Sequence, residues 1–146
     1  MGLFTKTSDK IKVKALRRVS FIIYSSPKDT YSNKLSLILE KVKDVISTYN
    51  DNELLEAEVF LMIRVMFLRF SHENLVEMLR HLWPIIFTEL VDILTLKKKK
   101  SNDLSLSSLK LIELLSVANM EEFGLYQWIF TMDSMLKYVN NIIKQS

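Results

Sequence analysis

Apolar residues recur at helical spacing along the chain, and they are densest in residues 58–70, EVFLMIRVMFLRF, where ten of thirteen are apolar. A helix on a protein surface shows one apolar stripe about 100° wide. This block is apolar nearly all round, interrupted only by Glu58, Arg64 and Arg69. It is also too short and too charged to cross a bilayer, which takes about 20 apolar residues. The pattern predicts a helix from about Glu53 to Phe70, buried between other helices, with Val59, Phe60, Ile63, Arg64, Phe67 and Arg69 as its structural residues. Each arginine must then reach water or find a carboxylate.

The same periodicity predicts neighbours on both sides. Ser8-Asp9 caps a first helix running to about Tyr24, with Val13, Leu16, Val19, Ile22 and Ile23 on its apolar side; residues 1–7 form a loose arm. Pro27 disfavours helix at Ser26, and a second helix follows from about Thr30 to Tyr49, with a stripe of Leu35, Ile38, Leu39, Val42, Val45 and Ile46. Asp51 or Asn52 caps the third helix, and a connection this short makes antiparallel neighbours. After Ser71 the pattern resumes, but Pro84 falls inside it and would cost about 3 kcal/mol in a helix interior. The expectation is a break at Leu82-Trp83, with a single kinked helix as the alternative. A lysine-rich loop at 97–103 leads to a helix capped by Asn102 or Asp103 and reaching about Val117 or Ala118; a last helix covers Met132 to Lys144. Helices in antiparallel pairs read as an all-α fold. It is either an α-solenoid of armadillo or HEAT type or an irregular bundle, within a single domain over 1–146.

Composition narrows this further. Two glycines and two prolines in 146 residues starve the chain of turns and argue against a sheet-based fold. With no cysteine, disulfides and thiolate metal sites are excluded, in keeping with a cytoplasmic setting. His72 and His81 belong to no metal-binding pattern, and glycines at 2 and 124 alone cannot form a phosphate loop. Carboxylate pairs such as Glu56 and Glu58 or Glu121 and Glu122 carry no mark of catalysis. The chain is read as non-enzymatic, with no metal and no cofactor.

The net charge of +3 matters only where it clusters. Lys10, Lys12, Lys14, Arg17 and Arg18 crowd the first helix. They form either a solvated face or a surface for anionic lipid, phosphoinositides included, or for an acidic partner. Lys97 to Lys100 read as a solvated loop; without aromatics for stacking, nucleic-acid binding is disfavoured. Trp83, Tyr126 and Trp128 are core residues or interface anchors, since both environments favour such side chains.

Four segments, taken in order, carry a family resemblance. KALRRVSFIIYSSPKDTY (Lys14–Tyr31), VFLMIRVMFLRFS (Val59–Ser71), LWPIIFTELVDIL (Leu82–Leu94) and FGLYQWIF (Phe123–Phe130) resemble the C-terminal region of the Dopey proteins. The resemblance implies a helical module of a very long, non-enzymatic scaffold. That scaffold is peripheral on Golgi and endosomal membranes and acts in membrane trafficking and protein transport. The partners implied are an Arf-exchange-factor-like scaffold and a phospholipid flippase. Self-association into a homo-oligomer and contact with an anionic membrane surface are further expectations.

Overall fold

The computed structural model describes residues 2–48, 52–94, 101–118, 121, 124 and 139–145. Among these the chain is helical and contains no strand. Its elements are α1 (Gly2–Ser25), a 3₁₀ turn (Ser32–Lys34), α2 (Leu35–Thr48), α3 (Glu53–Arg69), α4 (His72–Leu94) and α5 (Asn102–Val117). Residues 139–145 are helical and exposed. Tyr126, Trp128 and the lysines at 97–100 lie outside the described residues.

Side-chain bridges fix the directions of the helices. Arg17 meets Glu58, and Tyr24 meets Arg69, so α1 and α3 run the same way. Glu53 accepts from Ser101 N–H, and Ala57 O accepts from Ser107 Oγ, so α5 runs with them. Lys12, midway along α1, reaches Thr48 at the end of α2. Val19, further along α1, shares a groove with Leu37 near the start of α2, which therefore runs the opposite way. α1 packs on α3 and α3 on α5, while α2 packs on α4. The result is two layers, α1-α3-α5 over α2-α4, as in an α-solenoid.

This layering explains why α3 is apolar nearly all round. It lies in the middle of its layer with helices on both sides and the second layer beneath, burying Leu55, Val59, Phe60, Met62, Ile63, Val65 and Met66. Each large apolar side chain so buried contributes about 1.5–3 kcal/mol. Arg64, Phe67 and Arg69 are half-buried, while Leu54 and Leu68 reach solvent. Asn52 caps α3 by accepting from Leu55 N–H at 3.1 Å.

Four local expectations need correction. Helix α1 begins at Gly2, ahead of the Ser8-Asp9 cap, so residues 2–7 continue the helix instead of forming an arm. Its buried seam is Val13, Leu16, Ser20 and Ile23, leaving Val19 and Ile22 exposed. The second helix starts at Leu35, because Asp29 adopts a left-handed φ of 60° and a 3₁₀ turn intervenes. Ser101, not Asn102 or Asp103, caps α5, its Oγ accepting from Leu104 N–H.

The fifth concerns Pro84, which sits inside an unbroken α4. Proline removes the bond that residue 84 would give to the carbonyl of Arg80. Arg80 and Pro84 are both exposed, so that carbonyl is on the side solvent can reach. Leu82, Trp83 and Ile86 are buried around the proline and hold both halves of the helix against the core. Burial of those side chains outweighs the local cost. Trp83 is 6% exposed and its ring lies 5.9 Å from that of Phe87, tilted by 40°. Of its two readings, core packing is the one seen, and Trp83 offers no surface to a partner.

Candidate interaction surface

Helix α1 is fixed to α3 along its buried seam and by polar contacts at the edge of that seam. Arg17 Nε donates to Glu58 Oε1 at 3.0 Å, and its terminal nitrogen contacts the same oxygen. The hydrogen bond and the charge of Glu58 raise the Arg17 guanidinium above its ordinary pKa. Glu58 is the buried member, with its side chain 6% exposed against 63% for Arg17. Its second oxygen has no partner among the described residues. At the last residue of α3 the charge problem is solved differently: the Arg69 guanidinium lies 4.8 Å from the centre of the Tyr24 ring. Arg69, expected to reach water or find a carboxylate, instead meets an aromatic face, which attracts a cation through its quadrupole.

The turn after α1 is locked by Asp29. Its N–H donates to Arg69 O at 2.9 Å, and its Oδ1 accepts from Ser71 N–H at 2.7 Å and Asn74 Nδ2 at 2.9 Å. One residue therefore ties the end of α1 to the α3–α4 junction. The hydrogen bond from Ser71 N–H, foremost, holds the Asp29 carboxyl below its usual pKa. Glu73, in the first turn of α4, is lowered too, chiefly by its own backbone N–H and then by Ser71.

The five cations expected to share one face are divided between two. Lys12 is half-buried on the α2 side, its Nζ 3.5 Å from Thr48 Oγ1. There α1 and α2 leave an apolar groove of about 360 Å³, walled by Leu16, Val19, Leu37, Ile38 and Val45 and floored by Met62. Lys41 and Asp44 stand at its rim, 3.5 Å apart. Lys10, Lys14 and Arg18 are exposed and face away from the groove, with the exposed Arg17 beside them held to Glu58. On that side Lys14, Arg17, Arg18, Phe21 and Ile22 line a shallow depression. Phe21 is 70% exposed and Ile22 49%.

Sequence reasoning missed Phe21 as a surface residue and Asp29 as a clamp. Phe21 carried only a weak signal, since it lies about 80° around the helix from Val13 and about 140° from Leu16, at the edge of the stripe they define. Asp29 carried none, because its partners are more than forty positions away. No helix among the described residues is long and apolar enough to cross a membrane.

Among the described residues the chain is a two-layer stack of helices with exposed apolar faces, which defines its class as an all-α helical module. The family comparison makes it specific. The profile described as DOP1 C-terminal matches residues 3–142, so the chain belongs to the DOP1 C-terminal, or Dopey, family, as the four quoted segments suggested. It is similar to Protein pad-1 of Caenorhabditis elegans, 32% identical over 84 residues, covering 58% of this chain and 3% of that protein. Protein dop1 of Emericella nidulans is 24% identical over 129 residues, covering 82% and 7%. The Protein DOP1 homolog of Drosophila melanogaster is 30% identical over 95 residues, covering 64% and 4%. The chain thus spans only 3% to 7% of the length of these curated relatives. No solved structure matches it.

Proposed function

We propose that this chain is a non-enzymatic interaction module of Golgi and endosome membrane trafficking, acting by protein–protein binding. Membership of the DOP1 C-terminal family across residues 3–142 is the observation that carries the reading. The partners proposed are an Arf-exchange-factor-like scaffold and a phospholipid flippase, on the cytoplasmic side of those membranes. The α1–α2 groove supports the reading physically. Val19 and Leu37 line it and are left exposed, with apolar walls and a buried floor suited to an amphipathic helix.

The test is affinity capture with the tagged chain as bait, followed by identification of what is retained. Recovery of the exchange-factor-like scaffold or the flippase is expected, and the double variant Val19→Glu/Leu37→Glu should lose it. Both positions are exposed, so the charges do not enter the core. Failure to recover either partner, or recovery indifferent to the groove variant, would count against the proposal.

A further inference from the structure

We propose that the outward face of α1 docks on an anionic lipid bilayer, with Phe21 and Ile22 entering the headgroup–acyl boundary and Lys10, Lys14 and Arg18 meeting the headgroups.

Geometry selects this face. At 3.6 residues per turn, Val13, Leu16, Ser20 and Ile23 form the seam against α3. Arg18 then falls about 180° from the middle of that seam. Ile11, Lys14, Arg18, Phe21 and Ile22 follow one another along this far side, a ridge about 17 Å long at 1.5 Å per residue. All five are exposed. The arrangement is the one an interfacial helix needs: aromatic and branched apolar side chains beside Lys and Arg, with no carboxylate among them. Asp9, the single acidic residue of α1, lies on the opposite side by the same count.

Charge complementarity decides the occupant. A further helix stacking on α1 would want the kind of surface that α1 and α3 already share. That seam is apolar, with one ion pair at its edge. The outward face instead presents Lys10, Lys14 and Arg18, none of them in an ion pair among the described residues. Burying those cations against protein is unfavourable without matching carboxylates. Anionic headgroups leave them hydrated and neutralised, while long stems let the charges rise to the surface as the apolar tips descend. Arg17 contributes less, since Glu58 already holds it. Lys12 contributes nothing to this face, because it belongs to the groove. The proposal is separate from the protein-partner reading and does not depend on it.

The experiment uses the full 146-residue chain and vesicles of phosphatidylcholine with and without phosphatidylserine, read by co-sedimentation. Binding is expected only with the anionic lipid and should weaken as salt is raised. Lys14→Glu/Arg18→Glu should lower affinity at least about twentyfold, from about fivefold per lost cation. Phe21→Ser should lower it about tenfold while leaving the salt dependence in place. Leu109→Ser, at an exposed site on α5, should change neither. Phe21→Trp adds a direct readout: its emission should shift to the blue on adding anionic vesicles and be quenched by brominated acyl chains. Circular dichroism of each variant checks that the helices persist.

No sedimentation with anionic vesicles at low salt overturns the proposal. So does binding that survives both the charge reversal and Phe21→Ser. Self-association of the chain that Phe21→Ser abolishes, without vesicle binding, would assign the face to a second copy instead.

Discussion

Removing Arg17 should harm this fold more than removing Arg17 and Glu58 together. Glu58 sits on the buried side of the pair, 6% exposed, and one of its oxygens has no partner among the described residues. Replacing Arg17 by methionine keeps the hydrophobic stem and takes away the cation. Stripping one partner from a fully buried ion pair costs about 3–5 kcal/mol. Here the arginine is 63% exposed, so water can approach from its side, and about 2 kcal/mol is the discounted expectation for Arg17→Met. The double variant Arg17→Met/Glu58→Leu deletes the orphaned carboxylate as well. It should return to within about 1 kcal/mol of the parent, because apolar replacement of a buried pair is often neutral. Urea unfolding followed by far-UV circular dichroism measures all four corners of the cycle. A double variant as unstable as Arg17→Met would refute the argument that an unpaired buried carboxylate is the source of the loss.

Three further outcomes are expected from the same measurement. Pro84→Ala should stabilise the protein by about 1–3 kcal/mol, restoring the α4 hydrogen bond to the Arg80 carbonyl; a loss would mean that the proline shapes the helix to its neighbours. Phe60→Ala, at a site 1% exposed in the middle of α3, should cost about 3–5 kcal/mol, and a cost near zero would contradict the central position given to that helix. Asp29 should leave a mark on the acid side. Its folded pKa is depressed, so its stabilisation is full above the ordinary carboxylate pKa and disappears as pH falls through the lower folded value. Asp29→Asn keeps an acceptor and tolerates the left-handed backbone, so it should flatten the acid limb of stability against pH; parallel curves for the two proteins would exclude that role.

Much of the fold was legible because helical period and the scarcity of glycine and proline are local properties. The α3 pattern showed that this helix had to be surrounded, and the order of amphipathic helices implied stacked pairs. The family was legible too, through segments that keep their order. Site residues were less so. Five cations on one helix look like one surface until the phase of that helix is known. Val19 and Ser20 illustrate the limit: one step around the helix puts the serine in the seam and the valine in the groove. Side-chain chemistry alone would have chosen the reverse.

The sequence by itself determined that the chain is helical, that α3 is its interior, and that its first helix is basic. Only the tertiary structure decided which face of α1 is covered, that Glu58 takes Arg17 and Tyr24 takes Arg69, and that Pro84 is carried within one helix. Periodicity constrains the angle between residues on an element, whereas the absolute direction of an element is set by neighbours distant in the chain. That direction separates Lys12 from Lys14 and Arg18, and leaves Phe21 facing outward.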